Sequence, residues 1–107
     1  MSRRLIVRAE AETDITEAAL WYDKQEAGLG LELTVEIHAA IQRALANPSG
    51  YLRLRKQPEV RRILSRRFPF RIFYIVRPDA MIVFAAIHAA RRERHWKRRL
   101  RRRRRAS

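Results

Sequence analysis

Cysteine is absent from the 107 residues, and acidic residues are few, since 11 Asp and Glu accompany 25 Lys and Arg. The missing cysteines exclude a disulfide framework and any thiolate metal site. No apolar run approaches the roughly 20 residues that a membrane-spanning helix needs, and no signal-peptide pattern opens the chain. We therefore expect a cytoplasmic protein without a membrane partner.

Histidine is also scarce, and the three histidines do not form a ligand set. His38 belongs to a predicted helix, and His95 lies well beyond His88 with Glu93 as the nearby carboxylate. A zinc site needs three or four converging ligands, which this spacing does not supply. We expect no metal and no cofactor.

The positive charge is concentrated in the second half of the chain. Residues 1–52 hold five Lys or Arg against eight Asp or Glu, whereas residues 53–107 hold twenty against three. A large excess remains when the run 101–105 is set aside, so a basic face belongs to the folded part. Such a field favours a polyanion as partner: nucleic acid, the ribosome or an acidic protein.

The stretch 60–88 predicts the central sheet. Residues 71–76 and 81–87 are apolar runs rich in β-branched and aromatic side chains, joined by a turn that contains Pro78 and Asp79. Residues 60–65 predict a third strand. Because both faces of the central strands are apolar, the sheet needs cover on each side, from helices of its own or from a partner.

Two amphipathic patterns predict an antiparallel helical hairpin. The first follows an acidic turn and ends at residues 28–30; its stripe at helical spacing is Ile15, Ala18, Ala19 and Tyr22. The second spans about 31–46, with Leu33, Ile37 and Ile41 among its apolar positions, and stops at Asn47-Pro48. Their short connection brings the two stripes together over one face of the sheet.

The remaining segments complete an α+β fold. Residues 5–7 predict a short strand, and residues 47–59, which contain two prolines and a glycine, predict a surface loop. The element order is β-α-α-β-β-β, an N-terminal strand and a helical hairpin on a small, mainly antiparallel sheet. We expect one domain over 1–100 and a disordered, arginine-rich tail over 101–107, because unbroken charge cannot bury apolar surface.

Four short segments, in this order and spacing, resemble the RelE/ParE superfamily of toxins from type II toxin–antitoxin systems. They are Ala18-Ala19-Leu20-Trp21-Tyr22 leading to Gly28-Leu29-Gly30; Ala46-Asn47-Pro48; Val60-Arg61-Arg62 before Arg67-Phe68-Pro69-Phe70; and Ile87-His88-Ala89-Ala90-Arg91-Arg92 before Trp96. The resemblance implies a toxin held inactive in a complex with a cognate antitoxin, usually encoded beside it. RelE-like members cleave mRNA on the ribosome, whereas ParE-like members poison DNA gyrase without being hydrolases.

The sequence is more similar to the ParE side of the superfamily. RelE-like nucleases typically have a tyrosine or histidine near the C-terminus and lysines on the sheet, whereas no tyrosine follows Tyr74 here and Lys56 and Lys97 are the lysines of the second half. The leading hypothesis is therefore a gyrase inhibitor and not an enzyme. The alternatives are a metal-independent, ribosome-dependent mRNA endonuclease, and a nucleic-acid-binding module or inactive toxin remnant.

The candidate site residues depend on which function holds. In a nuclease, His88 would be the general base and Arg62 and Arg71 would stabilise the phosphate, since histidine titrates near neutrality and arginine offers a planar fork of donors. A histidine that fixes the strand exit is the structural alternative. For binding a target or a phosphate, the candidates are Arg61, Arg67, Arg91, Arg92 and Trp96; a tryptophan packed over the sheet is the structural alternative for Trp96.

An acidic amphipathic segment of the antitoxin is expected to cover the helical hairpin or the sheet and to mask arginines. The candidate contacts are Trp21, Tyr22, Leu33 and Ile37.

Overall fold

The computed structural model describes residues 3–91 and 96–101, and its element order agrees with the predicted α+β fold. A strand comes first, two helices follow, and the remaining strands complete the sheet. The elements are β1 Arg4–Val7, α1 Ala9–Gln25, α2 Leu29–Ala46, a 3₁₀ helix Pro48–Gly50, β2 Leu52–Lys56, β3 Glu59–Leu64, β4 Phe70–Val76 and β5 Ala80–His88. Residues 96–101 are helical.

The five strands form one sheet in the order β1-β5-β4-β3-β2. The strand β1 runs parallel to β5, and the other three pairs are antiparallel, so the sheet is mainly antiparallel as predicted. The predicted strands 60–65, 71–76 and 81–87 correspond to β3, β4 and β5, because short β-branched runs with no helical period pack well only in a sheet.

The surface loop predicted over 47–59 is wrong, since this segment contains β2. Its leucines at 52 and 54 alternate with Arg53 and Arg55, which is the pattern of a half-buried edge strand. The prolines and the glycine that suggested a loop lie in the 3₁₀ helix and in the turn between β2 and β3.

Both faces of the sheet are covered by the chain itself. The helices α1 and α2 pack on the first face, where Leu33, Ile37 and Ile41 meet Phe70, Ile72 and Tyr74. On the second face, Trp96 and Leu100 of the helical residues 96–101 join Phe73, Ile75 and Phe84. The pairing of β4 with β5 shifts after Phe73, so that Phe84 and Ala85 both belong to this second cluster.

The connection between the two helices is tighter than the sequence predicted, because α2 begins at Leu29 and includes Gly30. Gly28 adopts φ 95°, the left-handed conformation that glycine tolerates without strain. At Gly30 the helices approach so closely that a Cβ would lie 2.4 Å from the carbonyl oxygen of Ala19. The Asp23 carboxylate accepts the N–H groups of Gly28 at 3.2 Å and Gly30 at 2.8 Å, which satisfies donors at the start of α2.

Arg101, the first residue of the predicted tail, is the last described residue and is helical. The rest of the predicted tail, 102–107, lies outside the described residues. Within 3–91 and 96–101, no helix is long and apolar enough to cross a membrane.

Candidate functional site

His88 ends β5 on the face of the sheet that the helices cover. Its ring packs edge-on against Phe70, with 5.4 Å between ring centroids, and its Nδ1 accepts the N–H of Ala90 at 3.0 Å. These contacts fix the path of the chain as it leaves β5. They agree with the alternative in which His88 has a structural role at the strand exit.

Arg62 and Arg71 lie on the opposite face from His88. Side chains alternate along a strand, and Phe70 and Ile72 belong to the helix-covered cluster, so Arg71 points to the second face with Phe73. Arg62 pairs directly with Phe73 across β3 and β4. The structure therefore does not bring His88 together with Arg62 and Arg71.

Arg61 is held inside the protein's own network of hydrogen bonds. Its side chain is only 13% exposed; Nε lies 2.6 Å from Glu59 Oε2, and Nη1 donates to the carbonyls of Ser49 at 3.1 Å and Tyr51 at 2.7 Å. Arg61 thus connects β3 to the 3₁₀ helix and to the start of β2. Nearby, the Tyr74 hydroxyl donates to the Pro48 carbonyl at 2.8 Å, and burial raises the pKa of Tyr74.

Arg67 lies in the loop between β3 and β4, which is fastened to α2. Its guanidinium pairs with Glu32 and lies 5.1 Å from the Phe68 ring centroid. One helical turn further along, Glu36 accepts the backbone N–H of Arg66 at 2.6 Å and that of Arg67 at 3.3 Å. The hydrogen bond from Arg66 is the main reason why the pKa of Glu36 lies below its ordinary value.

The last three predicted target contacts have different environments. Arg91 is exposed beside the end of β5, whereas Arg92 lies outside the described residues. Trp96 is 2% exposed and stacks on Phe73 with 5.9 Å between ring centroids, so the structure supports its core interpretation and leaves no face for a nucleic-acid base.

The four predicted antitoxin contacts divide between surface and core. Trp21 is 57% exposed, and Tyr22 is partly buried against Phe68. Leu33 and Ile37 are fully buried. The prediction that Leu33 and Ile37 contact an antitoxin does not agree with the structure, because the protein's own sheet covers the apolar face of α2. The large apolar side chains of the hairpin that remain exposed are Leu20, Trp21, Leu31 and Val35.

A cleft of about 570 Å³ opens between α1, the end of β5 and the helical residues 96–101. At its base the Asp14 carboxylate and the Arg99 guanidinium meet, with Nη1 2.5 Å from Oδ2 and Nη2 3.3 Å from Oδ1. Asp14 also accepts the Ala86 N–H at 2.9 Å, and Arg99 donates to the Phe84 carbonyl at 3.2 Å. The other lining residues are Glu17, Ala18, Trp21, Tyr22, Phe70, Ala86, Ile87, His88, Ala90 and Arg91.

The pairing of Asp14 with Arg99 could not be read from the sequence. A carboxylate in the first turn of a helix is favoured by the helix dipole, but α1 begins at Ala9 and Asp14 lies beyond its first turn. The pair occupies the place where β1, after Val7, no longer covers the edge of β5. Ala86 and Phe84 would otherwise leave a backbone donor and an acceptor without partners there.

A second, shallower groove of about 410 Å³ lies at the end of β2 and β3. It combines exposed leucines with arginines, and none of the described residues that line it carries a carboxylate. They are Arg43, Gly50, Tyr51, Leu52, Arg62, Ile63, Leu64 and Arg66. Among residues 3–91 and 96–101, no group of three or more His, Cys, Asp or Glu is arranged to hold a metal ion.

No family model and no curated protein matches this sequence. Among solved structures, the fold is similar to that of a chain from the chromosomal ParDE TA system of P. aeruginosa, with a TM-score of 0.72 and 17% sequence identity. The match covers 81% of this chain and 96% of that chain. The chain therefore has the fold of a ParDE-system protein, and the resemblance to RelE/ParE toxins that was seen in its sequence is confirmed at the level of the fold.

Proposed function

We propose that this chain is the toxin of a type II toxin–antitoxin system, that a cognate antitoxin neutralises it in the cytoplasm, and that it poisons DNA gyrase. The observation that carries the proposal is the likeness in fold to the ParDE chain, which extends over most of both chains. At 17% identity that likeness supplies the fold, and the toxin function comes to this chain as an inference.

The placement of Arg62 and Arg71, the two arginines that the nuclease hypothesis assigns to the phosphate, supports an inhibitor over a nuclease. A general base and the groups that stabilise a phosphate must converge within hydrogen-bond reach of one substrate. His88 lies on the helix-covered face, whereas Arg62 and Arg71 belong to the opposite face. A surface that binds a large target without chemistry has no need of such convergence, and a strongly basic protein is attracted to DNA or to acidic protein surface.

The direct test is a supercoiling reaction with purified gyrase, relaxed plasmid, ATP and folded toxin, scored for linear DNA after protease treatment. Linear product that requires both the toxin and ATP is expected. Unimpeded supercoiling at a large excess of folded toxin would refute the gyrase target.

Substitution of a histidine separates the inhibitor from the nuclease. His88→Ala should leave gyrase poisoning largely intact, and His38→Ala, at an exposed position of α2, is the matched control. Loss of toxicity with His88→Ala alone, together with ribosome-dependent cutting of mRNA by the wild type, would favour the endonuclease. Absence of growth arrest on induction would favour a binding module or an inactive toxin.

The antitoxin is expected to contribute an acidic amphipathic segment that folds on binding. Co-expression with the neighbouring gene product should yield a complex that survives moderate salt and prevents growth arrest. If the two proteins separate at moderate salt, or if co-expression does not relieve toxicity, the proposal of a neutralising partner fails.

A further inference from the structure

We propose that the edge strand β2 is a docking site for an acidic, extended segment of a partner protein, which adds to the sheet as a further strand. The inference rests on the proposed function, in which that segment belongs to the antitoxin, and it specifies both the surface and the conformation in which the segment binds. Two features carry it: the open backbone edge of β2 and the positive charge of its side chains.

The strand β2 is the last strand on its side of the sheet. In the order β1-β5-β4-β3-β2 its neighbour is β3, and no further strand follows among the described residues. Alternate backbone N–H and C=O groups of such an edge strand point away from the sheet. Within residues 3–91 and 96–101, the backbone of Leu52–Lys56 makes no hydrogen bond beyond the pairing with β3. The outward groups can therefore pair with another strand.

The side chains of β2 are strongly basic. Arg53, Arg55 and Lys56 are three of its five residues. In the part of the chain that the structure describes, none of the three forms an ion pair or a side-chain hydrogen bond. Carboxylates of a partner strand would therefore meet cations that the protein does not itself neutralise by direct contact.

One carboxylate lies near this edge. Glu59 is opposite Lys56 on β3, but its Oε2 lies 2.6 Å from Nε of Arg61, so it already pairs with a guanidinium of its own strand. No other Asp or Glu occurs between residues 37 and 78. Glu36, on α2, accepts N–H groups of the loop between β3 and β4 and acts on arginines outside β2. The edge keeps a positive excess with Glu59 included.

The same cations make β2 a poor partner for a second copy of itself. Two β2 strands paired edge to edge would bring three cations from each chain together, and the shift in register between Arg53 and Arg55 adds an irregularity. Lysines, arginines and bulges on edge strands commonly prevent such pairing. An acidic strand removes the repulsion and keeps the backbone hydrogen bonds, so charge complementarity selects a partner of the opposite sign.

The two faces of β2 specify a side-chain pattern for the partner strand. Arg53 lies opposite Arg61, which itself pairs with Tyr74 of the helix-covered core, so Arg53 belongs to that face. Leu52 precedes it, therefore faces the other side, and is 54% exposed. A strand laid beside β2 would present carboxylates to one face and an apolar side chain to Leu52 on the other. Alternating acidic and apolar residues are thus the expected signature of the segment.

A nucleic acid is the other polyanion that these cations attract. Phosphate oxygens accept hydrogen bonds but do not donate them, so a nucleic acid would leave the outward C=O groups of β2 to water. A peptide strand pairs with the N–H and the C=O groups and also neutralises the side chains. The combination of an open edge with clustered cations therefore favours the peptide.

The test uses a synthetic peptide of about 12 residues in which glutamate alternates with threonine and valine, with binding to the full chain measured by fluorescence anisotropy. Two further peptides of the same charge carry N-methyl groups, one on the glutamates and the other on the residues between them. An added strand donates from one alternating set of N–H groups, while the other set faces away. We expect one methylated peptide to bind at least tenfold more weakly and the other to bind within about twofold of the parent.

A matched pair of double variants tests the surface. Arg53→Gln/Lys56→Gln should weaken binding of the parent peptide about tenfold, because two cations of the edge are lost. Lys24→Gln/Arg91→Gln removes the same charge from exposed positions of α1 and beyond β5, and should change binding less than about twofold. Equal losses would mean that the peptide senses only net charge, and would overturn the proposal.

The pattern of methylation gives two further ways to overturn strand addition. Equal weakening by both methylated peptides would indicate a bound helix, and no weakening by either would indicate attachment through charge alone. Absence of binding by the parent peptide would also overturn the docking site. If single-stranded DNA then binds about tenfold more weakly to Arg53→Gln/Lys56→Gln than to the wild type, the edge belongs to nucleic acid. A dimer of the free chain that the peptide dissociates would assign it to a second copy.

The source of the segment is tested in the complex with the co-expressed product of the neighbouring gene. Amide hydrogen exchange over residues 52–56 should be slower in that complex than in the free chain, because outward N–H groups gain acceptors. A complex that forms without this protection would exclude the antitoxin as the occupant. Gyrase poisoning is measured on the free chain, so failure of the docking site and failure of the proposed toxin activity are distinguishable.

Discussion

Asp14 joins three elements through one carboxylate, and we predict that Asp14→Ala destabilises the fold by about 2–4 kcal/mol. Removing one partner from a buried ion pair typically costs 3–5 kcal/mol, and the side chains of Asp14 and Arg99 retain 17% and 18% exposure, which places the cost somewhat lower. The change also leaves the Ala86 N–H without its acceptor. Asp14→Asn keeps an acceptor oxygen and should cost about half as much.

The measurement is urea unfolding monitored by Trp96 fluorescence in a Trp21→Phe background, since Trp21 is exposed and Trp96 lies in the second-face core. Glu17→Ala, at an exposed position of the same helix, removes an equal charge and serves as the control. A double-mutant cycle with Arg99→Ala isolates the pairwise contribution. If Asp14→Ala costs less than about 1 kcal/mol, or no more than Glu17→Ala, the pair does not hold residues 96–101 on the sheet.

Three further predictions concern other parts of the fold. Gly30→Ala should lower the free energy of unfolding by roughly 1–2 kcal/mol in urea titration, because the added methyl group would clash with the Ala19 carbonyl. The clash outweighs the higher helix propensity of alanine, whose size Ala39→Gly, at an exposed position of α2, measures as a control. Tyr74→Phe should cost about 1 kcal/mol by loss of the Pro48 hydrogen bond. Because burial raises the pKa of Tyr74, absorbance titration of the wild type to about pH 11 should leave Tyr74 protonated until the protein unfolds, and the late absorbance change on unfolding should be missing in Tyr74→Phe. The folded pKa of Glu36 lies below its ordinary value of 4.5, so the carboxylate contributes to stability above that pH, and the contribution is lost as pH falls through the folded pKa. Glu36→Gln should therefore be less stable than the wild type near neutral pH, with a difference in the free energy of unfolding that shrinks in acid. A difference that stays constant with pH would contradict this.

The central sheet could be predicted from the sequence because β4 and β5 are short apolar runs whose two faces both need cover. The two helices could be predicted because their apolar positions hold the helical period for several turns. Strand β2 was missed because Pro48, Gly50 and Pro58 are strong turn signals on either side of a weakly alternating edge strand. These turn-forming residues are a stronger sequence signal than an alternating pattern of only two leucines.

The arrangement of the site could not be predicted, for a different reason. Asp14 and Arg99 are 85 positions apart, and no periodic pattern links two polar residues at that distance. The separation of His88 from Arg71 depends on the register of β4 against β5, in which Phe70 opposes His88. A shift of one residue in that register would exchange the two faces, and the sequence does not fix it.

The parallel pairing of β1 with β5 also determines the order in which the chain can complete its core. Arg4 pairs with Ala80, a separation of 76 residues, so this contact cannot form until β5 has been synthesised. At typical rates of synthesis, those residues take roughly 4–15 s to be made. The helical hairpin, whose contacts are local, can form early in that interval while Leu33 and Ile37 still lack the sheet that later buries them. Until β5 is made, any helix that forms in the nascent chain has its core-facing side open to water.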